Sequence, residues 1–221
     1  LVQTPNVSAV LRRLATAVLA GLLGITGLAA CGPIDESLGQ PGPFDSGEVS
    51  AELDGLTVAG WASMTGYSRD RFPTWDSQGQ GCDTRDRVLQ RDGRNVVTGD
   101  DCKILNGAWT SAYDGEQVDD PSKLDIDHVV PLADAWRTGA AAWTDEKREA
   151  FANDLTRPQL VAVSASSNRS KGDQDPSQWR PPRHDYWCTY AESWVTVKAY
   201  WHLSVTTDEK AALVELLGTC P

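Results

Sequence analysis

Residues 124–136 read LDIDHVVPLADAW. Leu124, Ile126, His128 and Val130 alternate with Asp125, Asp127 and Val129, the period-two pattern of a strand. Pro131 ends that strand and suits the first turn of a helix. LADAWRTG then runs to Gly139, a glycine placed for a C-cap. The chain has three histidines, and one of them stands here beside two carboxylates. Strict alternation sends Asp127 and His128 to opposite faces, so they serve one site only at the end of the strand, where Pro131 turns the chain away.

Working outward, Thr144 caps a helix written TDEKREAFANDL, whose acidic first turn suits the helix dipole. Gln159 to Val163 is a short apolar strand, and Ser164 to Gly172 is a turn entering a helix. Upstream, Asp83 to Arg91 forms a short helix, and residues 95–113 form strands and turns. Trp187, Tyr190, Trp194, Val197 and Trp201 recur at three-four spacing and make one apolar helix face. Thr206 and Glu209 form a capping box for a last helix carrying Leu213, Leu216 and Leu217, stopped at Gly218. These elements predict an α+β fold in one domain, residues 51–221, without internal repeats.

The N-terminus reads differently. Arg12 and Arg13 precede an apolar run from Leu14 to Ala30, interrupted by three glycines and ending in LAAC. That is the layout of a secretory signal over residues 1–30. LAAC resembles a bacterial lipobox, which would make Cys31 the lipidated first residue of an exported protein on the outer face of the cytoplasmic membrane, or extracellular. A permanent N-terminal membrane helix is the competing reading, and the glycines and small-residue exit weigh against it. Residues 31–50, rich in Gly, Pro, Ser and acids, read as a flexible tether.

The net charge is −11 over 221 residues, which excludes broad electrostatic binding to nucleic acid but not a site that holds one phosphate through a metal and a few local cations. Beyond Cys31, the cysteines are Cys82, Cys102, Cys188 and Cys220. An even number behind an export signal implies two disulfides. Of three connectivities, Cys82–Cys102 with Cys188–Cys220 closes a modest loop in each half of the chain. Without a CxxC pair, a zinc site is disfavoured.

Asp127 offers a hard anionic oxygen and Asn168 a neutral one, ligands for Mg²⁺, Mn²⁺ or Ca²⁺ rather than zinc. His128 has a side chain able to take a proton from water near neutral pH. Lys171 and Arg169 can offset charge on a phosphate. Together they describe a one-metal site with a separate base, suited to phosphodiester hydrolysis.

DHVVP at 127–131, followed by SNRSKGD at 167–173, resembles the HNH branch of the ββα-metal, or His-Me finger, nucleases. CDTRDRVLQRD, LDIDHVVPLADAW, FANDL and AVSASSNRSKGDQDPSQW in order resemble secreted actinobacterial HNH-family proteins related to the GmrSD-type C-terminal nuclease domain. The resemblance implies a ββα-metal core with added helices. It implies His128 as general base, Asp127 and Asn168 as metal ligands, and Lys171 as a catalytic residue near phosphate. The middle Asn of the HNH pattern falls near Gln159, one methylene longer, with Asn153 as the alternative for orienting the base.

Plainer roles stand beside these. Asn168 can be a helix N-cap, Asp125 a solvent-facing carboxylate rather than a third ligand, and DQDP at 173–176 an ordinary turn rather than a metal loop. Arg85 and Asp86 can bind phosphate or form a structural ion pair beside a disulfide. Helical spacing assigns Trp187, Trp194 and Trp201 to the core rather than to base stacking. The expected protein is a divalent-metal-dependent, lipid-anchored endonuclease acting on DNA with little sequence specificity, with no protein partner. The rival expectation is a non-catalytic envelope lipoprotein that binds Ca²⁺ or a partner.

Overall fold

The computed structural model describes residues 44–221. The signal sequence, Cys31 and the first part of the tether lie outside the described residues. The chain opens with α1 (Ser46–Gly55), capped by the Asp45 side chain, which accepts from the amides of Gly47 and Glu48. This helix begins inside the stretch assigned to the tether. Val49 and Leu53, one helical turn apart, are both buried and pack α1 onto α6, so the ordered body starts earlier than composition implied. A short 3-10 turn at Arg69–Arg71 follows.

Next comes α2 (Thr84–Asp92), opened by an Asp83–Asp86 capping box. β1 (Arg94–Thr98), β2 (Ile104–Thr110) and β3 (Gln117–Val118) form a three-stranded antiparallel sheet. β4 (Leu124–His128) pairs antiparallel with β5 (Leu160–Ser164), with Leu124 opposite Ser164 and His128 opposite Leu160. Between them lie α3 (Leu132–Thr138), which Pro131 N-caps, and α4 (Asp145–Ala152), capped by Thr144. α5 (Ala165–Lys171) leaves β5 with Ser164 as its N-cap and packs against both strands. α6 (Trp187–Trp201) and α7 (Thr207–Leu217) close the body, the latter with the expected Thr206–Glu209 capping box.

The alternation in β4 is realised in packing. Leu124 and Ile126 face a core shared with Val88 and Leu89 of α2, Trp109 of β2, and Leu160 and Ala162 of β5. Asp125 and Asp127 face the other way, toward α5. A second core gathers α1, α3, α4, α6 and α7 around Trp136, Phe151, Tyr190 and Trp194. Each such buried aromatic contributes about 1.5–3 kcal/mol by leaving water. Trp194 is fully buried and Trp201 nearly so, as the helical spacing required.

The disulfides join Cys82 to Cys102 and Cys188 to Cys220, separated by 20 and 32 residues. Chain-entropy loss in the unfolded state makes each worth about 3–4 kcal/mol. The whole is a mixed α/β body. Among the described residues no helix is long and apolar enough to cross a membrane.

Candidate active site

A cleft of about 220 Å³ opens where β4 ends beside the C-terminal half of α5, and Asp127, His128, Asn168 and Arg169 all line it. Thus the opposed faces of the strand do meet at its end. Asp127 enters from the α5 side and His128 from the side of α4.

His128 is only 4 % exposed. Its Nε2 lies 2.9 Å from the carbonyl oxygen of Ala152, at the end of α4. A carbonyl only accepts, so Nε2 carries the hydrogen and Nδ1 keeps its lone pair. Among the described residues nothing hydrogen-bonds Nδ1. Burial pushes the imidazole down to about 3; the Ala152 bond opposes this, and the charges of Arg69 and Lys171 reinforce it. The ring is therefore neutral near pH 7, with the Nδ1 lone pair unprotonated.

The ring is held from several directions. Trp75 stacks on it, with centroids 6.0 Å apart and planes 17° from parallel. Trp75 has a φ of 66°, a conformation that costs a non-glycine residue about 1–2 kcal/mol. The Asn153 carbonyl Oδ1 secures it by accepting from the amides of Trp75 and Asp76, while Nδ2 donates to the carbonyls of Pro73 and Glu149. Asn153 thus supports the His128 ring through Trp75, and does so as the C-cap of α4.

Gln159 does not touch His128. Fully buried, it accepts from the Val130 amide at 3.1 Å and donates to the Val130 carbonyl at 2.9 Å, while its own carbonyl accepts from Val129. This clamp fixes the chain immediately after the histidine.

Asp127 is engaged more fully than a simple ligand would be. Lys171 Nζ lies 3.0 Å from Oδ1 and 2.9 Å from Oδ2, and also donates to the His128 carbonyl at 2.9 Å. The Tyr113 hydroxyl donates to Oδ2. Tyr113 is itself fully buried, edge-on to Trp179 and Tyr190. Burial raises the Asp127 carboxyl, and Lys171 and Tyr113 work against that rise.

Lys171, expected to approach phosphate, is fully buried. Its ammonium donates to Asp127 Oδ1 and to the His128 carbonyl and is ion-paired with Asp127 Oδ2. These contacts tie α5 to the end of β4.

The remaining expected residues divide. Asn168 is a mid-helix residue of α5, not its N-cap, and its Nδ2 donates to Asp125 Oδ2 at 3.0 Å. That bond turns the amide so that Oδ1 is the atom left for a ligand. Asp125 is thereby an orienter of Asn168, with Arg169 3.8 Å away. Arg85 is far from phosphate duty: it donates to the carbonyls of Pro121 and Leu124 and braces the approach to β4. Asp86 completes the α2 capping box. Asp175 makes the turn before Trp179, accepting from Ser177, whereas Asp173 reaches the cleft. Gly172, at φ 54° and ψ −131°, supplies a backbone bend that only glycine takes readily.

The donor set suits a hard divalent cation. Asp127 retains unused acceptor capacity on Oδ1, and Asn168 Oδ1 is neutral oxygen; a Mg²⁺-like ion that keeps most of its waters needs no more protein ligands than these. Among the described residues the denser cluster, Cys188, Glu192 and Cys220, is closed to metal because its cysteines form a disulfide.

Tyr113, Trp75 and Arg69 escaped the sequence reading. Arg69 sits in GYSRDRF with no periodic or motif signal, and it reaches the cleft only through the fold.

Comparison with known proteins places this cleft in context. Over 202 residues the chain is 46 % identical to an uncharacterized secreted protein of Arthroderma benhamiae, covering 91 % of this chain and 98 % of that one. No solved structure matches the chain. Residues 83–216, which hold β4, β5, α5 and the cleft residues from Ile126 to Asp173, match the family described as GmrSD restriction endonucleases, C-terminal domain. A match over more than half of the chain shows kinship, and it points to a nuclease: the protein belongs to the GmrSD restriction endonuclease C-terminal domain family.

Proposed function

We propose that the protein is a divalent-metal-dependent endonuclease of the His-Me finger type, with β4, β5 and α5 as its ββα-metal core. The observation that carries the reading is His128, neutral, anchored through Nε2, and presenting a free Nδ1 beside Asp127 and Asn168 in one cleft. His128 takes the proton of the attacking water at Nδ1, and Ala152 and Trp75 hold the ring in place as it becomes charged. Asp127 and Asn168 would hold the cation, with Lys171 and Tyr113 fixing the carboxylate. The ion, when bound, polarises the scissile phosphate and steadies the leaving oxygen. DNA is the proposed substrate, cut with little sequence preference, since an acidic chain lacks the basic surface that reads groove edges. Export through residues 1–30, lipidation at Cys31 and a short tether ahead of the nuclease body complete the proposal.

The test is supercoiled plasmid incubated with the purified protein and Mg²⁺, Mn²⁺, Ca²⁺ or EDTA, beside His128→Ala. Nicking that needs metal and falls about 10²–10⁴-fold in the variant is expected. Wild-type protein, folded and oxidised, that leaves DNA and RNA uncut with every metal would sink the proposal.

A further inference from the structure

Arg69 stands on the 3-10 turn ahead of the matched family span, is exposed, and lines the cleft together with Arg169 of α5. Most arginines of this acidic chain are spent: Arg91 on Asp92, Arg157 on Asp154, Arg180 on Glu215, Arg183 on Asp185, and Arg85 on backbone carbonyls. Arg69 has neither a salt bridge nor a side-chain hydrogen bond among the described residues. Arg94 on β1 shares that freedom but does not line the cleft. Arg169, by contrast, lies 3.8 Å from Asp125, which offsets part of its charge.

A guanidinium left without a partner, in a protein with an excess of carboxylates, has no internal bond to explain its place in the cleft that His128 lines. Its planar fork matches two oxygens of one phosphate, a geometry lysine lacks.

We infer that Arg69 is the phosphate anchor of the cleft, gripping the non-bridging oxygens of a nucleic-acid phosphodiester. This rests on the nuclease reading for the identity of the substrate, but its binding step does not require catalysis. The anchor comes from the segment before residue 83, so the matched domain is completed by a residue outside it.

The experiment measures fluorescence anisotropy of a labelled single-stranded deoxyoligonucleotide in EDTA with the full chain, for wild type, Arg69→Ala, Arg69→Lys and Arg94→Ala. Because the Arg69 side chain holds nothing else in place, its variants should keep the wild-type melting temperature. Arg69→Ala should weaken binding about ten- to a hundred-fold and lower the salt slope by about 0.7. Arg69→Lys should recover part of the loss, and Arg94→Ala should bind as wild type. Binding by Arg69→Ala within two-fold of wild type, equal losses at Arg69 and Arg94, or a wild type that binds no oligonucleotide would each overturn the inference. Plasmid cleavage run in parallel separates the two ideas. Cleavage that depends on His128 but not on Arg69 leaves the nuclease and removes the anchor. Arg69-dependent binding without cleavage by any metal keeps the anchor and removes the nuclease.

Discussion

Replacing Lys171 by methionine tests the claim that this lysine holds the site together rather than contacting phosphate. Methionine keeps much of the volume and removes the charge and all three donors. Asp127, 6 % exposed, would keep only the Tyr113 hydroxyl, and the His128 carbonyl would lose its partner. Removing one member of a buried ion pair costs about 3–5 kcal/mol, because the survivor stays desolvated and unpaired. In a chain of this size about 2–4 °C of melting temperature is lost per kcal/mol, so a fall of about 6–20 °C is expected. The double variant Lys171→Met with Asp127→Asn removes both charges and should recover about 2–3 kcal/mol, within the coupling range of contacting groups. The sign with pH also follows. Burial raises the Asp127 carboxyl, and without Lys171 that rise is less opposed. The native variant then binds a proton that the unfolded chain releases, so its deficit shrinks as pH falls from 7 to 5. Urea unfolding at both pH values reads the outcome. A deficit below about 1 kcal/mol at pH 7, or one that is unchanged at pH 5, would refute the buried-pair reasoning.

Two further outcomes are expected. Lys198, fully buried, lies 2.8 Å from Asp134 and 2.6 Å from Glu209, so two carboxylates share one ammonium. Burial, opposed by Lys198 and aided by Asp134, pushes Glu209 up to about 7 from its ordinary 4.5. The native state therefore holds a proton that the unfolded chain gives up, and stability falls as pH rises from about 4.5 to 7. Glu209→Gln should flatten that part of the melting-temperature profile, and a slope identical to wild type would count against the cluster. Gln159→Leu should cost about 2–4 kcal/mol, since the Val130 amide and carbonyl lose their buried partner, and should slow cleavage with it. A denaturation midpoint equal to wild type would show that the clamp is dispensable.

The sequence by itself determined much of the local architecture. Alternation through Leu124–His128 set a strand with unlike faces, and Pro131 and Gly139 bounded the next helix. Three-four spacing put Tyr190, Trp194 and Val197 in the core, and the Thr206–Glu209 box formed as written. Loop length alone favoured the disulfide pairing observed. The resemblance carried by the DHVVP and SNRSKGD motifs named Asp127, His128 and Asn168, which the fold lines up along one cleft. These features are short-range, or are carried by motif order, so they are written along the chain.

Tertiary structure alone decided what lies opposite each of those faces. Lys171 and Asp127 meet across 44 positions, and nothing in NRSKG tells a buried counter-ion from a phosphate contact. Asn153 reaches Trp75 across 78 positions to set a stack over His128. Tyr113 and Arg69 lie in turns without periodicity, one sealed against Asp127 and the other left unpaired at the cleft. Periodicity tells a side chain which way to point, but the partner it finds depends on how distant elements pack, and that is where each polar group is either neutralised or left free to act.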